Sequence, residues 1–369
     1  MRSAPALVVS VVLALAGAVA AHDRAIEFPD VPGYRTLVVD LHIHSVFSDG
    51  SVWPDIRVEE SQRDGVDLMA VTEHLEYQPH KHDIPHPDRN RSFELAHKHA
   101  GGDKAELIVV NGAEITRSMP EGHVNAVFLS DANALLADDA EAAYTAAKAQ
   151  NAFVFWNHPS WTGQRKDGVA VLSDTQRSLI ERDMLHGIEV ANGAMYSQDA
   201  LQMALDHDLA ILGTSDIHGL IDWDYDVHAG EHRTVTLVFA AERSADSARE
   251  ALHANRTVAW MNNTLIGRDD VLLPLLEASL QVASVNTRDN DELVHVTLVN
   301  HSDASFELAN RGDHNFYGQA GLIRVPPHSE VKLGLAGETR KEFALEFEVL
   351  NAVNAPGKHP RLSLEIEVP

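Results

Sequence analysis

Between about residue 36 and residue 265 the chain alternates short β-branched runs with amphipathic helical stretches, and that alternation leaves few folds open. A helix between successive strands returns the chain to the same end of the sheet, so the pattern predicts an α/β fold: a parallel β/α sheet or barrel. Expected strands lie at 36–44, 66–71, 106–110, 152–156, 187–190, 210–212 and 234–239. The clearest expected helices are 132–150, rich in alanine, and 197–207, where Leu201, Ala204 and Leu205 share a face. Beyond about Leu273 the texture changes. Alternating runs at 293–299, 331–335, 343–349 and 362–368, separated by Asn, Asp, Gly and Pro, predict a small antiparallel β-sandwich.

The first 21 residues read as an export signal. Arg2 is the only charge before an apolar run from Ala4 to Ala21, which closes on small residues suited to signal peptidase. The alternative is an uncleaved anchor, since 18 apolar residues reach the lower limit for a span; Gly17 and the small-residue ending favour cleavage. The expected organisation is a signal peptide at 1–21, a barrel domain at 22–272 and a sandwich domain at 273–369. A periplasmic or secreted protein with no stable membrane span after cleavage follows.

Charge and composition narrow the function. Lys+Arg of 29 against Asp+Glu of 55 gives a net charge of -26, which repels polyanions and argues against nucleic acid or an anionic membrane as partner. An anionic substrate would need a locally positive site. Cysteine is absent, which removes disulfides, thiolate metal sites and cysteine nucleophiles together. Histidine is abundant, at 22 residues.

The histidines fall where strands end. The first strand runs into D-L-H-I-H-S-V-F-S-D-G, in which His42 and His44 are two apart and leave one face of an extended chain together, with Asp49 in the following turn. V-T-E-H presents Glu73 and His74; N-G-A-E-I-T presents Glu114, and His123 follows in E-G-H-V-N. Then come His158 in W-N-H-P-S, Glu189 in I-E-V-A-N-G, and Asp216 and His218 in G-T-S-D-I-H-G, which repeats the two-apart spacing. In a β/α barrel the C-terminal strand ends converge on one rim, so these scattered segments would meet. A sulfur-free mixture of His and carboxylates suits Zn, Mn or Fe(II), and a carboxylate can bridge two ions.

The motifs H-x-H-S-x-x-S-D-G, T-E-H, G-x-E, N-H-P and S-D-x-H resemble those of the polymerase and histidinol phosphatase (PHP) superfamily over residues 36–265. The resemblance implies a distorted (β/α)7 barrel holding two or three divalent metal ions (Mn, Zn or Fe) for phosphoester hydrolysis. The stretches S-D-G-S-V-W-P-D-I-R-V, T-E-H-L-E-Y-Q-P-H-K-H-D-I-P-H-P-D-R-N-R-S, F-V-F-W-N-H-P and G-T-S-D-I-H-G-L-I-D-W look more closely like an exported bacterial group of PHP phosphodiesterases associated with organophosphate ester breakdown; this closer match extends through L-N-A-V-N-A-P-G-K-H-P. Carried over by position, it implies that His42, His44, Glu114 and Asp216 hold one metal. Glu114 would bridge to a second held by His123 and His158, and Asp49, His74 and His218 would hold a third. Three ions outweigh the three carboxylates, so the centre would be cationic inside an acidic protein and would acidify water for attack on a small phosphodiester. Glu114 and Asp216 are therefore expected to be catalytic.

Further residues are candidates around that centre. Arg117, three residues after Glu114, is expected to hold a phosphate oxygen and is counted with the catalytic residues; Lys81, Arg89 and Arg91 are the other cations of the neighbouring loop. Glu73 is expected to orient His74 from behind. Glu189 is open between facing the barrel interior and ending its strand with backbone hydrogen bonds. His80, His82 and His86 form a Pro-punctuated loop with Tyr77, either surface or lid, and Trp156 and Trp161 flank His158, one expected to pack in the barrel and the other to line a leaving-group pocket. Two other readings remain: a phosphomonoesterase or nuclease using the same chemistry, and a secreted metal-capture protein. Against capture, the candidate ligands are distributed over strand ends rather than gathered in surface runs.

Overall fold

The computed structural model describes residues 25–287, 293–336 and 341–369, so the expected export signal at 1–21 lies outside the described residues. Among the described residues no helix is long and apolar enough to cross a membrane. The chain opens with β1 (Arg35–Asp40), α1 (Pro54–Arg63), β2 (Leu68–Val71), α2 (Arg91–Ala100), β3 (Ile108–Thr116) and β4 (His123–Val127). It continues through α3 (Ala140–Ala149), β5 (Phe153–Trp156), α4 (Asp174–Glu181), β6 (Gly187–Asn192), β7 (Met195–Tyr196), α5 (Gln198–Asp206) and β8 (Ala210–Thr214). A short α6 (Ile221–Asp224), then β9 (Val235–Ala240), α7 (Ala245–His253), β10 (Thr257–Met261), β11 (Thr264–Gly267) and α8 (Asp269–Ser279) complete this part.

These strands form one curled sheet in the order β11-β10-β9-β1-β2-β3-β4-β5-β6-β7, with β8 also paired to β6. The seven expected strands are present as β1, β2, β3, β5, β6, β8 and β9, and the parallel pairs β1–β2, β2–β3, β5–β6 and β6–β8 follow the β/α alternation. Two departures matter. β4 was not anticipated; it runs antiparallel to both β3 and β5, and β9 runs antiparallel to β1. Strand direction depends on whether the connection crosses over or turns back, and the short 117–122 connection turns back. Between β8 and β9 the barrel closes by side chain rather than ladder: Gly213 N–H donates to Thr236 Oγ1 at 3.0 Å, and that hydroxyl donates to Gly213 O at 2.7 Å. A Cβ at Gly213 would stand 2.7 Å from Val235 O, so only glycine permits the approach.

Period-two alternation sorts β1 between two cores. Leu37, Val39 and Leu41 join Leu68, Ala70, Phe153, Phe155 and Leu212 in one cluster, while Val38 faces the other way into a second. The expected helix 132–150 is broken. A 3-10 turn at Ala132–Leu135 is capped by Asp131, and α3 restarts behind a second cap, Asp139, whose carboxylate accepts from Ala142 N–H. Two aspartates suited to capping outweigh the alanine propensity around them.

Two four-stranded antiparallel sheets follow, built from β12 (Leu280–Thr287), β13 (Leu293–Asn300), β14 (Phe306–Asn310), β15 (Asn315–Phe316), β16 (Leu322–Val325), β17 (Glu330–Ala336), β18 (Glu342–Val349) and β20 (Arg361–Glu367). Their orders are β12-β13-β17-β15 and β16-β14-β18-β20, and β20 alternates strictly between exposed and buried, with Leu362, Leu364 and Ile366 inward. The expected boundary at 272/273 falls inside α8. The two parts are tightly joined: one apolar cluster runs from Val235 and Leu265 through Leu272 and Leu276 to Phe306 and Phe347. β19 (Ala352–Val353), a strand of the C-terminal part, pairs in parallel with Leu265 and Ile266 of β11 at the edge of the barrel sheet.

Candidate metal centre

The expected ligands do converge, and the chain positions each by a local device. Regular pairing of β1 stops at Asp40; beyond it the chain stays extended, and an isolated bridge joins Ile43 to Ile217. His42 and His44 thus leave one face, their Nε2 atoms 2.9 Å apart and each within 3.2 Å of Asp216 Oδ1. Glu114 Oε2 lies 3.6 Å from His42 Nε2, 3.4 Å from His44 Nε2 and 2.7 Å from His74 Nδ1. Its other oxygen meets His123 Nδ1 at 2.8 Å and lies 3.7 Å from His158 Nε2. Asp49 closes the far side, 3.3 Å from His74 Nε2 and 3.1 Å from His218 Nε2. His123 arrives by a route the sequence did not suggest: it begins β4, and because β4 is antiparallel its N-terminal end shares the rim with the C-terminal end of β3, Thr116 standing opposite His123.

Backbone conformation adds to the placement. His158 (φ 28) and Asp216 (φ 49) both occupy the left-handed region, which Asp and His enter more readily than most non-glycine residues and which here turns the chain at the rim. Behind the ring of ligands, partners fix which nitrogen faces inward. His42 Nδ1–H donates to Glu189 Oε1 at 2.7 Å and His218 Nδ1–H to Asp216 O at 2.8 Å, so each Nε2 is turned toward the cleft, where a metal ion would take the place of any proton it carries. Glu189, left open by the sequence, does both things considered for it: it faces the interior, and its second oxygen accepts from His158 N–H at 2.6 Å and Asn192 Nδ2 at 2.8 Å. Thr214 Oγ1 donates to the first oxygen at 2.6 Å.

The electrostatics are those of a crowded acid–base cluster. Burial opposes a charge on His42, yet the Asp216 and Glu189 carboxylates hold its pKa well above the ordinary value. Burial likewise works against His74, and Glu114 and Asp49 still carry it up to about 10. His44 goes the other way, to about 3, under burial and its cationic neighbours His218 and His74. The carboxyls of Glu114 and Asp216, despite burial, stay well below the usual range because histidines surround them. Here protons on His42 and His74 offset carboxylate charge that divalent ions would otherwise balance.

A test of fit comes from unsatisfied atoms. Both oxygens of Glu114, Asp216 Oδ1, Asp49 Oδ1 and His123 Nδ1 are buried without a hydrogen-bond partner of acceptable geometry. Three sets of donor atoms each lie within 4.8 Å of one another: His44, Asp49, His74 and His218; His42, His44 and Glu114; and His74, Glu114 and His123. Inward lone pairs and acceptors without donors are what a dication needs, and nitrogen and oxygen donors suit Zn, Mn or Fe(II). The cleft above them has a volume of about 590 Å³, and Tyr77, Trp161 and Met195 form its apolar wall.

The overall match to known structures now decides the family. A two-domain protein from Bacteroides vulgatus, described as containing a predicted PHP-like metal-dependent phosphoesterase, is 41% identical; the alignment covers 93% of this chain and 98% of that one, with a TM-score of 0.86. This chain belongs to the PHP-like metal-dependent phosphoesterases. A metal-dependent phosphoesterase structure from Bifidobacterium adolescentis, described as putative in its own right, matches at 19% identity over 50% of this chain and 89% of its own, with a TM-score of 0.39. Residues 280–365 match the family model of an Ig-like domain. No curated protein matches the chain.

Several expectations about the phosphoesterase's surroundings are corrected. Arg117 does not face the cleft: its Nε lies 2.7 Å from Glu76 Oε1, and its terminal nitrogens donate to Ala137 O at 2.6 Å and Asp138 O at 3.1 Å. The reason is alternation. Glu114 and Thr116 share one face, and residue 117 falls on the other. Glu73 does not brace His74; its carboxylate accepts from Ser45 Oγ, Ser48 Oγ and Ser45 N–H, holding the turn that carries Asp49. His74 instead meets Thr116 Oγ1 at 2.6 Å. Trp156 is fully buried, whereas Trp161 lies over His158, ring centroids 5.2 Å apart. His80 contacts Val46 O and His86 packs 5.0 Å from the Phe47 ring, neither lining the cleft. Thr116, Glu76 and Met195 were missed as lining; Thr116 could have been found two residues after Glu114.

Proposed function

We propose that this phosphoesterase hydrolyses small phosphodiesters to a phosphomonoester and an alcohol. The observation that carries this is the make-up of the cleft lining: Asp49, His74, Glu76, Tyr77, Glu114, Thr116, His123, His158, Trp161, Met195, Asp216 and His218, with no lysine or arginine among the described residues. A monoester dianion gains from extra cations at the rim, while a diester is a monoanion whose second ester group needs an apolar wall. Here Arg117 is taken up by Glu76, and Tyr77, Trp161 and Met195 supply the wall.

In this reading His42, His44, Glu114 and Asp216 hold one ion, Glu114 also serves a second with His123 and His158, and Asp49, His74 and His218 complete a third. Divalent ions there would polarise a phosphoryl oxygen and acidify water, which supplies a nucleophile near neutral pH. The chain's own residues do the rest. Glu189 holds His42 and the His158 backbone in register, and Glu73 fixes the Asp49 turn. Trp161, Met195 and Tyr77 form the apolar wall against which the ester group would rest. Mn, Zn or Fe are the ions proposed. Action outside the cytoplasm, as in the organophosphate-degrading relatives that the motifs resemble, is supported by the apolar small-residue start of the sequence alone.

The deciding experiment compares kcat/KM for p-nitrophenyl phosphate with that for ethyl and phenyl p-nitrophenyl phosphate. A preference for the diesters of tenfold or more is expected. A monoester preference across several leaving groups would make the protein a phosphatase.

A further inference from the structure

The inner face of α1 is unusual for a barrel helix. Pro54, Arg57, Val58, Glu60 and Ser61 are buried there, so the inward stripe includes an arginine and a glutamate with only 2% and 4% of their surface exposed. A buried guanidinium persists only if its donors are satisfied, and here all five are used. Nε–H donates to His44 O at 2.9 Å. One terminal nitrogen donates to Gly219 O at 2.6 Å and Glu60 Oε2 at 2.8 Å, the other to His218 O at 2.9 Å and Ile217 O at 3.3 Å. Four of these acceptors are main-chain carbonyls on two segments: the extension after β1 that carries His42 and His44, and the loop after β8 that carries Asp216 and His218.

Other links between those segments are few and spread along them: the isolated Ile43–Ile217 bridge, with His44 N–H donating to Ile217 O at 3.2 Å, Ser51 N–H donating to His218 O at 2.8 Å, and Ser215, whose hydroxyl and N–H donate to the Asp40 carboxylate at 2.6 and 3.1 Å. Arg57 alone gathers four carbonyls of both segments on one side chain. His44 and His218 stack with ring centroids 4.3 Å apart and belong to one donor set with Asp49 and His74. Glu60 extends the clamp, its other oxygen accepting from Ile221 N–H at 2.8 Å just beyond the loop.

We propose that Arg57 is a positioning residue for the metal positions built on these two segments. By gathering the carbonyls of His44 and of 217–219 on one rigid planar fork, it sets the separation of His44 and His218, and with it the site made with Asp49 and His74. The position at Glu114, His123 and His158 lies on β3, β4 and the loop after β5, which Arg57 does not touch, and does not depend on it. Arg57 itself lines no part of the cleft and acts only through the backbone of the residues it holds. Lysine cannot replace it, because three donors on one nitrogen cannot serve two segments in the fixed directions of a guanidinium.

This inference rests on the metal reading of the cleft. The test strips metal from the parent, R57K and R57Q with a chelator, confirms folding by circular dichroism, and titrates each with Mn2+ while following stoichiometry and hydrolysis of bis(p-nitrophenyl) phosphate. Expected in both variants is selective weakening, tenfold or more, of the equivalents that use His44, Asp216 and His218, with the equivalent at Glu114, His123 and His158 at parent affinity, since partners behind metal ligands are typically worth 10- to 100-fold in affinity. In parallel kcat falls, KM changes less than twofold, and excess Mn2+ restores turnover. A lower melting temperature with unchanged stoichiometry and kcat per folded chain would overturn the proposal, as would equal weakening of every equivalent. If R57Q is insoluble, R57K decides; insolubility of both assigns Arg57 to folding and overturns it too. A parent that binds no metal defeats the metal reading itself, which is a separate result.

Discussion

Replacing Glu189 by glutamine should weaken metal binding without disturbing the barrel, and the structure says by how much. The carboxylate accepts four hydrogen bonds, from His42 Nδ1, Thr214 Oγ1, His158 N and Asn192 Nδ2, at 2.6 to 2.8 Å. Glutamine keeps the size and one oxygen, so one pair of donors faces an amide NH2. The His158 backbone N–H cannot rotate away, whereas Thr214 can turn its hydroxyl and His42 can change tautomer, so the amide nitrogen settles toward His42. His42 then accepts at Nδ1 and carries its proton on Nε2, the nitrogen aimed at His44 and Asp216. Displacing that proton, and losing the negative charge that made the imidazole a better donor, corresponds to about a 10- to 100-fold loss of metal affinity, or roughly 1.4 to 2.7 kcal/mol. The assay is Mn2+ titration of the chelator-treated E189Q protein beside its parent, with kcat/KM for a diester measured at limiting and at saturating metal. Activity should fall by the same factor at limiting metal and recover in large part at saturation. Parent-like affinity in folded E189Q would refute the claim that this carboxylate sets the His42 tautomer.

Three further outcomes are expected. R117A should keep kcat/KM within about threefold, because Arg117 is held by Glu76 and two carbonyls; a loss of a hundredfold would return it to the substrate site. His232 and His186 each accept a main-chain N–H, from Asn263 at 3.1 Å and Val154 at 3.0 Å, and burial pushes both pKa values down to about 4. As pH falls below the unfolded value of about 6.5 the unfolded chain takes up protons first, so stability is lost between about pH 6.5 and 4, by up to roughly 3 kcal/mol per histidine, and then levels; chemical denaturation of metal-loaded protein across this range, with H232N losing less than the parent, checks it. Truncation after Ser279 should give insoluble protein, since it uncovers Leu265, Leu272 and Leu276 and removes the strand paired to β11; a soluble, cooperatively melting 25–279 fragment would contradict this.

The clustering of the candidate ligands was legible because its signal is local: residue type at strand ends, with the two-residue spacing of His42/His44 and Asp216/His218 meeting the period of an extended chain. The alternation that places Thr116 beside Glu114 was equally available and would have turned Arg117 away from the cleft. The direction of β4 was not legible, because nothing in E-G-H-V-N distinguishes a strand end from a strand beginning; only the pairing of Thr116 with His123 settles it. Arg57 was hidden for another reason. A charged residue on a helix looks solvated until the packing shows that its face is turned inward, and three of the four carbonyls it serves lie some 160 residues away in the chain.

The pairing of β19 with β11 also bears on how the protein is made. Leu265 and Ile266 take their partners from Ala352 and Val353, about 90 residues further along the chain. At about 5 to 20 residues per second, a ribosome takes roughly 4 to 18 s to supply them. For that interval a nascent barrel has an open apolar edge, the kind of surface on which neighbouring chains pair wrongly. The later of these two domains therefore finishes the earlier, and any fusion or insertion between residues 280 and 351 lengthens that exposure in proportion to the residues it adds.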